Sequence, residues 1–206
     1  MAGIDRKAHW ETVYSTKGET RVSWYQSEPR RSLELIHSVA PARGGRIIDV
    51  GGGASVLVDR LLELPFEKVA VLDISETALN KARSRLGQRA GRVEWIAADI
   101  TEVEDIGSFD IWHDRAVFHF LTDAADRRKY VELARHTIPG GGHLVIASFA
   151  DQGPKRCSDL DVCRYNAETM GAKLGESLSL VREARERHKT PGGSSQAFFY
   201  GVFRRE

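Results

Sequence analysis

The 206 residues, of which 41% are hydrophobic, suffice for one globular domain with a buried core and leave little room for a second catalytic domain. The 30 lysines and arginines nearly balance the 29 aspartates and glutamates, so the formal charge of +1 provides no general attraction to nucleic acid or to an anionic membrane. Because no apolar run approaches the ~18 residues of a membrane span and the first residues lack the apolar core of a signal peptide, we expect a cytoplasmic protein with neither partner.

The first 30 residues form an aromatic-rich leader that contains Trp10, Tyr14, Trp24 and Tyr25. Aromatic side chains in such a segment usually pack on a core, and binding a ligand is the alternative. The pattern RSLELIHSV that follows predicts a helix over residues 31–39.

Apolar runs then alternate with amphipathic segments, which is typical of a parallel sheet covered by helices. Five runs predict buried strands: 46–50, 68–73, 92–98, 109–113 and 142–149. Leucines and alanines at helical spacing predict helices after the first and second strands, and a further helix is predicted to start near Thr122 and to stop at the PGGG of residues 139–142. The tail predicts an antiparallel hairpin at the sheet edge, with a glycine-rich turn between its two strands.

Three glycines, Gly51, Gly52 and Gly53, stand at the first strand-to-helix turn, where open parallel sheets bind their ligands. Glycine tolerates positive φ and leaves the backbone bare toward a ligand; a tight turn that needs glycine for its own geometry is the alternative. Val56 occupies the position where a dinucleotide-binding fingerprint needs its third glycine, and no phosphate-binding Gly-Lys-Ser/Thr follows. The turn therefore favours a ligand without a pyrophosphate.

Acidic residues accompany this turn and end the neighbouring strands. Asp73 ends the second strand, where a carboxylate accepts hydrogen bonds from both hydroxyls of a ribose. Asp99 follows the third strand and is placed to accept from an adenine amino group, with Ile74 and Ile100 covering the ring faces. Asp49 is placed to hold the turn or to receive an ammonium through water. Ordinary helix-leading and loop aspartates are the alternatives, and together the acids predict an adenosine-containing ligand.

Taken in order, these motifs resemble the class I S-adenosylmethionine-dependent methyltransferases. IIDVGGGAS resembles their first motif, VLDIS the acidic ribose motif, AADI the adenine motif, FDIWHDRAVFHFL the segment that lines the methyl-transfer site and PGGGHLVIASF the fifth strand. The resemblance implies S-adenosylmethionine as cofactor and an α/β, Rossmann-like fold, in which a seven-stranded, mostly parallel sheet of order 3-2-1-4-5-7-6 has an antiparallel last strand and helices on both faces. It covers nearly the whole chain and implies a single domain over residues 1–206, with 1–30 as a leader or lid.

The leader HWETVYSTKGETRVSWYQ resembles the opening of methyltransferase-like lysine methyltransferases, in which an aromatic leader closes over the cofactor. This resemblance assigns Tyr14 and Trp24 to cofactor binding. Those enzymes have an Asp-Lys-Gly-Thr run after the fourth strand, where this chain has DRAV at 114–117, and His119 stands where they have another acid. The departure argues against a lysine substrate.

Asp114 and His119 are the predicted catalytic residues, because they lie in the segment that resembles the lining of the methyl-transfer site. Histidine has an ordinary pKa of ~6.5 and transfers protons near neutral pH, so His119 is a candidate general base. His113, in the same segment, is assigned to the cofactor. A structural role in the core is the alternative for each of the three.

Five residues are candidate substrate contacts: Arg115, Cys157, Arg164, Tyr165 and His188. Arg164 and Tyr165 belong to an apparently irregular segment after the fifth strand, for which a solvated loop is the alternative. Cys157 and Cys163 in that segment lack CxxC spacing and are too few for a disulfide framework, so we expect free thiols and no metal site.

The sequence therefore predicts a methyltransferase that acts on a small-molecule thiol, amine or hydroxyl. A protein lysine methyltransferase is the main alternative, with a protein as substrate. A nicotinamide-binding oxidoreductase is disfavoured by Val56 and by the lack of room for a substrate domain. A noncatalytic cofactor-binding module also stays open, because a binding motif does not establish turnover.

Overall fold

The computed structural model describes residues 5–41 and 44–206, and the first four residues of the predicted leader lie outside the described residues. Seven strands of the described chain form one sheet: β1 (Arg46–Val50), β2 (Lys68–Asp73), β3 (Val93–Ala97), β4 (Ile111–Arg115), β5 (His143–Phe149), β6 (Leu178–Lys189) and β7 (Ser195–Arg205). The α-helices are α1 (Arg6–Thr16), α2 (Arg30–Val39), α3 (Leu57–Leu61), α4 (Glu76–Leu86), α5 (Ala124–Thr137) and α6 (Ala167–Leu174).

The strand order is β3-β2-β1-β4-β5-β7-β6, which confirms the predicted fold. Strands β1 to β5 are parallel, and β7 runs antiparallel to both β5 and β6. The chain leaves β1 toward β2 and β3 on one side and returns to β4 and β5 on the other. The order therefore reverses between β1 and β4, and in such sheets ligands bind beyond the carboxyl ends of the strands at this point.

Alternate residues of the central strands face opposite layers. Ile47 packs in the cluster that includes Leu35 of α2 and Leu61 of α3, and its neighbour Ile48 packs in the cluster that includes Tyr130 of α5. All of these side chains are fully buried, and burying one aliphatic side chain contributes about 1.5–3 kcal/mol. The two layers hold the central strands in place and so fix the positions of the residues at their carboxyl ends.

The leader is docked onto α4 by polar contacts. Glu11 of α1 accepts hydrogen bonds from the N–H groups of Glu76 at 2.7 Å and Thr77 at 3.3 Å, so its carboxylate binds the first turn of α4. Lys81 of α4 donates to the carbonyl of Tyr14 at 2.5 Å. These contacts place α1 above the carboxyl ends of β1 and β2.

The largest difference from the predicted elements lies after β5. Helix α6 was not predicted, although Asn166 and Thr169 form a reciprocal capping box at its start. The segment expected to be irregular also contains a short two-stranded ladder between Arg156–Cys157 and Leu160–Asp161. Helix α1 was not predicted either, since the leader was described only by its aromatic residues. The predicted elements themselves differ by about two residues at their ends: β4 covers Ile111–Arg115 instead of 109–113.

Among the described residues, no helix is long and apolar enough to cross a membrane.

Candidate active site

The glycine turn after β1 has a geometry that requires glycine. Gly51 and Gly53 have φ values of +72° and +43°, where an L side chain is strained. A Cβ on Gly51 would fall 1.9 Å from Cγ2 of Val117, and one on Gly53 would fall 2.7 Å from Oδ2 of Asp73 and 3.0 Å from the hydroxyl of Tyr14. The glycines therefore adopt the positive φ values that the turn needs, and Gly53 also lets the carboxylate of Asp73 and the hydroxyl of Tyr14 approach the backbone closely.

Asp73 is buried at the end of β2, beside this turn. Its Oδ1 accepts a hydrogen bond from the N–H of Ser75 at 2.8 Å, and Ser75 caps α4 by accepting from the N–H of Ala78 at 3.1 Å. Burial raises the pKa of Asp73 to about 7 despite the hydrogen bond from Ser75, and the carboxylate of Asp49 raises it further. A ligand that donates hydrogen bonds to Asp73 would favour the ionised form of this carboxyl.

Asp99 follows β3 and lines the same cavity, together with Ile74 and Ile100. Its Oδ1 accepts from both the N–H and the hydroxyl of Thr101, at 2.9 and 2.8 Å. Its Oδ2 lies 3.5 Å from Nε of Arg6, so the leader forms an ion pair with the acid assigned to adenine. The two isoleucines line the cavity with this acid, and their contact with an adenine ring stays a prediction.

Aromatic rings of the leader cover the site. Trp10 stands edge to face against Phe120 at 5.0 Å and against Trp24 at 5.7 Å, and Trp24 stands edge to face against Tyr14 at 6.1 Å between ring centroids. Tyr14 is buried, and burial together with the neighbouring charge of Asp73 raises the pKa of its hydroxyl. The two aromatic residues that the sequence assigned to the cofactor thus lie next to the glycine turn.

These parts border a cavity of about 850 Å³, a volume that includes open solvent. One side is formed by residues at the ends of β2 and β3, including Asp73 and Asp99. The other side is formed by residues of β4, β5, β7 and the loop after β4, including Arg115, His119 and Phe198. The cavity therefore spans the point where the strand order reverses.

A second cavity of about 590 Å³ shares Tyr14, Trp24, Gly51 and Arg115 with the first and is also lined by Asp49 and His113. The predicted cofactor residue His113 uses both ring nitrogens within the protein. Its Nδ1 lies 2.7 Å from Oδ1 of Asp49, and its Nε2 lies 2.9 Å from the hydroxyl of Ser32. His113 thereby ties β4 to β1 and α2 and orients the Asp49 carboxylate beside the glycines.

Arg115, a predicted substrate contact, ends β4 and lines both cavities. Its Nε donates to the hydroxyl of Tyr200 at 3.0 Å, its Nη1 donates to the carbonyl of Trp24 at 3.1 Å, and its guanidinium lies 4.5 Å from the ring centroid of Phe198. The side chain is 10% exposed. Arg115 therefore carries a positive charge at the inner wall of the cavity.

His119 lines the first cavity and is completely buried. Burial, assisted by the charge of Arg115, lowers its pKa to about 3. The expectation of a base with an ordinary histidine pKa is therefore corrected: the ring is neutral at physiological pH but accepts protons poorly. Its Nδ1 accepts a hydrogen bond from the N–H of Phe149 at 3.4 Å.

Asp114, the second predicted catalytic residue, does not line either cavity. Its Oδ1 accepts from the N–H of Val117 at 2.8 Å, and its Oδ2 accepts from the N–H of Phe118 at 3.0 Å and from the hydroxyl of Tyr130 at 2.6 Å. Burial raises its pKa to about 6, although these hydrogen bonds favour the ionised form. The geometry gives Asp114 the task of shaping the loop that carries His119.

Three other predicted substrate contacts lie outside both cavities. Arg164 donates to the carbonyl of Asp151 at 2.6 Å, and Tyr165 is buried in the core. His188 of β6 holds the leader, because its Nε2 lies 2.8 Å from the carbonyl of Ser23. Burial lowers the pKa of His188.

Sequence reasoning missed several cavity residues: Arg6, Trp10, Phe120, Phe149 and Phe198. Cys157, a free cysteine that was a candidate substrate contact, does line this cavity. These residues come from the leader, from the loop after β4 and from β5 and β7, and no short motif marks them. The aromatic content of the leader was the available signal for Trp10.

Comparison with known proteins agrees with this geometry. A family model described as a methyltransferase domain matches residues 47–141, which contain the glycine turn, Asp73, Asp99 and His119. The eEF1A lysine and N-terminal methyltransferase of Mus musculus is 24% identical over 147 residues, which are 68% of this chain. The chain spans only about a fifth of that relative, since the match covers 21% of its length.

Solved structures share the fold over almost the whole chain. The N-methyltransferase NodS from Bradyrhizobium japonicum WM9, in complex with S-adenosyl-L-homocysteine, has a TM-score of 0.74 at 20% identity and covers 98% of this chain and 99% of its own. The 1,6-didemethyltoxoflavin-N1-methyltransferase of Burkholderia thailandensis has a TM-score of 0.68 at 17% identity and covers 98% of this chain and 84% of its own. At these identities the likeness concerns the fold.

Proposed function

We infer that this chain is a member of the S-adenosylmethionine-dependent methyltransferases, as its motifs predicted, and propose that it transfers a methyl group to a small-molecule acceptor. The observation that carries the proposal is the convergence of the glycine turn, Asp73 and Asp99 on one cavity at the reversal of strand order. The matching methyltransferase domain supports the family, and the fold neighbours support the architecture.

The residues around the cavity fit this cofactor. Asp73 would accept hydrogen bonds from the ribose hydroxyls, because its Oδ2 stands beside Gly53, where a Cβ would fill the space. Ile74 and Ile100 would cover the adenine, with Asp99 near its amino group. The second cavity, with Asp49, would take the amino-acid end. When bound, S-adenosylmethionine supplies a methyl group on a positively charged sulfur that is already activated for displacement.

The chain's own contribution is positioning and exclusion of water. Holding reactants in a near-attack geometry supplies much of the barrier reduction in such a displacement, and a dry site strengthens the electrostatic contacts. The leader serves as a lid through Trp10, Trp24 and the ion pair of Arg6 with Asp99. His119, with a pKa of about 3, orients the acceptor and leaves proton removal to solvent or to an acceptor that binds ionised.

A small acceptor is favoured over a protein side chain by the aromatic leader residues that cover part of the cavity and by the chemistry after β4. Arg115 lies where lysine methyltransferases of the resembled kind have lysine, and His119 replaces an acid. Protein lysine methylation is the second candidate, favoured by the leader sequence and by the similarity to eEF1A lysine methyltransferases. We further propose that residues 1–206 act as one catalytic domain in the cytoplasm, a reducing compartment suited to the free thiols Cys157 and Cys163.

Calorimetric titration with S-adenosylhomocysteine and, separately, with NAD tests the cofactor. We expect saturable one-to-one binding of S-adenosylhomocysteine and none of NAD. The Asp110→Asn variant is a matched control, because Asp110 accepts from the N–H of Arg46 at the opposite end of β4 and lines neither cavity. Binding of NAD in preference to S-adenosylhomocysteine would overturn the proposal.

A further inference from the structure

We propose that the acceptor is a planar aromatic compound that carries an anionic oxygen, either a carboxylate or an ionised ring hydroxyl. This inference rests on the proposed methyltransferase function and names the class of its acceptor. It is carried by two buried nitrogen donors that have no partner in the described chain and belong to residues lining one cavity, by the aromatic side chains around them, and by the distribution of charge in that cavity.

The first donor is Nη2 of Arg115. The other two nitrogens of this guanidinium donate to Tyr200 and Trp24, whereas Nη2 is buried and has no hydrogen-bond partner among residues 5–41 and 44–206. The nearest acid, Glu186, has its Oε2 3.9 Å away and already accepts from the hydroxyl of Tyr200 at 2.8 Å and from Gln26 at 3.0 Å. Arg115 thus lines the cavity and has one donor that the described part of the protein does not use.

The second donor is Nε2 of His119. Because Nδ1 accepts from the N–H of Phe149, the ring proton resides on Nε2, which is buried and unpartnered in the described part of the chain. His119 is near enough to Arg115 for the guanidinium charge to lower its pKa. Buried polar groups nearly always have partners, so two unpaired buried donors, on residues that both line the first cavity, favour a ligand that carries a hydrogen-bond acceptor. A carboxylate or phenolate oxygen is such an acceptor, and its charge strengthens a hydrogen bond from either donor.

Aromatic rings surround these donors. The ring of His119 lies 4.4 Å from that of Phe120 and 4.8 Å from that of Phe149, and Phe149 lies 4.9 Å from Phe198. Trp10 approaches Phe120 from the leader at 5.0 Å. Aromatic walls favour a flat ring, which can pack edge to face or offset against them.

The charges in the cavity favour an anion over an ammonium. Its acidic lining residues in the described chain are Asp73 and Asp99, which belong to the ends of β2 and β3. On the side of β4, β5 and β7 the charged lining residue is Arg115. An acceptor that entered as a protonated amine would meet this guanidinium, and the nearest carboxylate, Glu186, does not line the cavity and already accepts from Tyr200 and Gln26.

The test measures acceptor binding by calorimetry to the protein saturated with S-adenosylhomocysteine, at mildly alkaline pH. The probes are similar in size and each differs from 3-hydroxybenzoate, an aromatic anion, in one property: 3-hydroxybenzyl alcohol is neutral, 3-hydroxybenzylamine is cationic and 3-hydroxycyclohexanecarboxylate is a non-planar anion. A fifth probe, 4-nitrophenolate, separates an ionised ring hydroxyl from a carboxylate. We expect one or both aromatic anions to bind about tenfold or more tightly than the other three probes, as one charge-assisted hydrogen bond provides.

Variants of His119 separate hydrogen bonding from shape. His119→Gln keeps an N–H donor near the position of Nε2, whereas His119→Leu removes it, and His136→Leu on the exposed surface of α5 is the control. We expect His119→Leu to lose about tenfold in affinity for the aromatic anion and little for the neutral alcohol, with His119→Gln and the control close to the wild type.

Three results would overturn the inference while S-adenosylhomocysteine still binds. They are equal affinity for anionic, neutral and cationic probes, preference for the amine, and unchanged anion affinity in a folded His119→Leu protein that binds S-adenosylhomocysteine normally. Preference for the amine would favour a lysine-like acceptor. Failure of S-adenosylhomocysteine to bind the wild type would instead refute the proposed function, and this inference with it.

Discussion

Replacing Asp73 by asparagine removes a negative charge from the proposed ribose site and keeps an oxygen that accepts from the N–H of Ser75. The variant should fold, because the contact at the start of α4 is retained. Hydrogen bonds to a charged group contribute about 1.5–3 kcal/mol each, so losing two of them predicts about 3 kcal/mol or more in binding free energy. That corresponds to an affinity for S-adenosylhomocysteine roughly 100-fold lower or worse.

The raised pKa of Asp73 adds a pH dependence that the variant should lose. Between the ordinary value of 3.8 and the folded value of about 7, the folded protein holds a proton that the unfolded chain releases. The free energy of unfolding of the cofactor-free protein should therefore fall as pH rises through this window, by at most ~4 kcal/mol. Ribose hydroxyls favour the ionised carboxylate, so cofactor affinity should rise as pH rises through about 7.

Isothermal titration with S-adenosylhomocysteine, in buffers of different ionisation enthalpy, measures affinity and proton release together. The wild type should release a proton on binding below pH 7, and Asp73→Asn should not; Asp110→Asn should behave as the wild type. The assignment of this acid to the ribose would be refuted if a folded Asp73→Asn protein bound S-adenosylhomocysteine as tightly as the wild type does. It would also be refuted if this variant released as many protons on binding as the wild type.

Four further predictions concern residues around the cavity. Gly51→Ala should lower the free energy of unfolding, measured in urea, by about 2 kcal/mol or more, because the added Cβ would fall 1.9 Å from Val117 and φ is +72°. A change in this free energy of less than about 0.5 kcal/mol would contradict the geometry. Asp114→Ala leaves three donors without an acceptor, so it should lower the free energy of unfolding, measured in urea, by at least about 2 kcal/mol. If the variant instead lost cofactor affinity at unchanged stability, Asp114 would have a direct role in the site. Arg6→Ala breaks two partly exposed ion pairs, with Asp99 at 3.5 Å and with Asp126 at 3.0 Å, each worth at most about 1 kcal/mol. Stopped-flow release of S-adenosylhomocysteine should therefore speed up by less than about 30-fold, and a larger effect would mean that these pairs dominate the lid. Since the pKa of His119 is about 3, the pH profiles of kcat/KM for His119→Gln and the wild type should run parallel, whereas convergence at high pH would identify His119 as a general base.

The parts of the site that follow from local pattern could be predicted from sequence. The glycines and Asp73 stand at the ends of strongly apolar runs, and a strand end in a parallel sheet has a known position relative to a ligand. The hairpin β6–β7 was equally predictable, because a glycine-rich turn separates two strand-like runs, of which β6 is largely charged and exposed and β7 is largely apolar and buried. For these elements, period and turn chemistry determine the structure.

Contacts between distant segments could not be predicted. His113 meets Ser32, 81 positions earlier in the chain, and this pairing occupies a nitrogen that the sequence left free for the cofactor. The low pKa of His119 arises from burial and from Arg115, neither of which a motif reveals. Helix α6 was missed because it is only eight residues long, and its capping box is the main sequence signal of where it starts.

The central claim is methyl transfer, and the most direct measurement uses S-adenosylmethionine with a deuterium-labelled methyl group. Purified protein is incubated with this donor and with the aromatic probes, a small-molecule thiol and a lysine peptide as separate acceptors, and the products are analysed by mass spectrometry. The account predicts a labelled aromatic product and S-adenosylhomocysteine in equal amounts, both abolished in the Asp73→Asn variant at limiting donor. A protein that binds the donor yet labels none of these acceptors, or labels the lysine peptide alone, would contradict it.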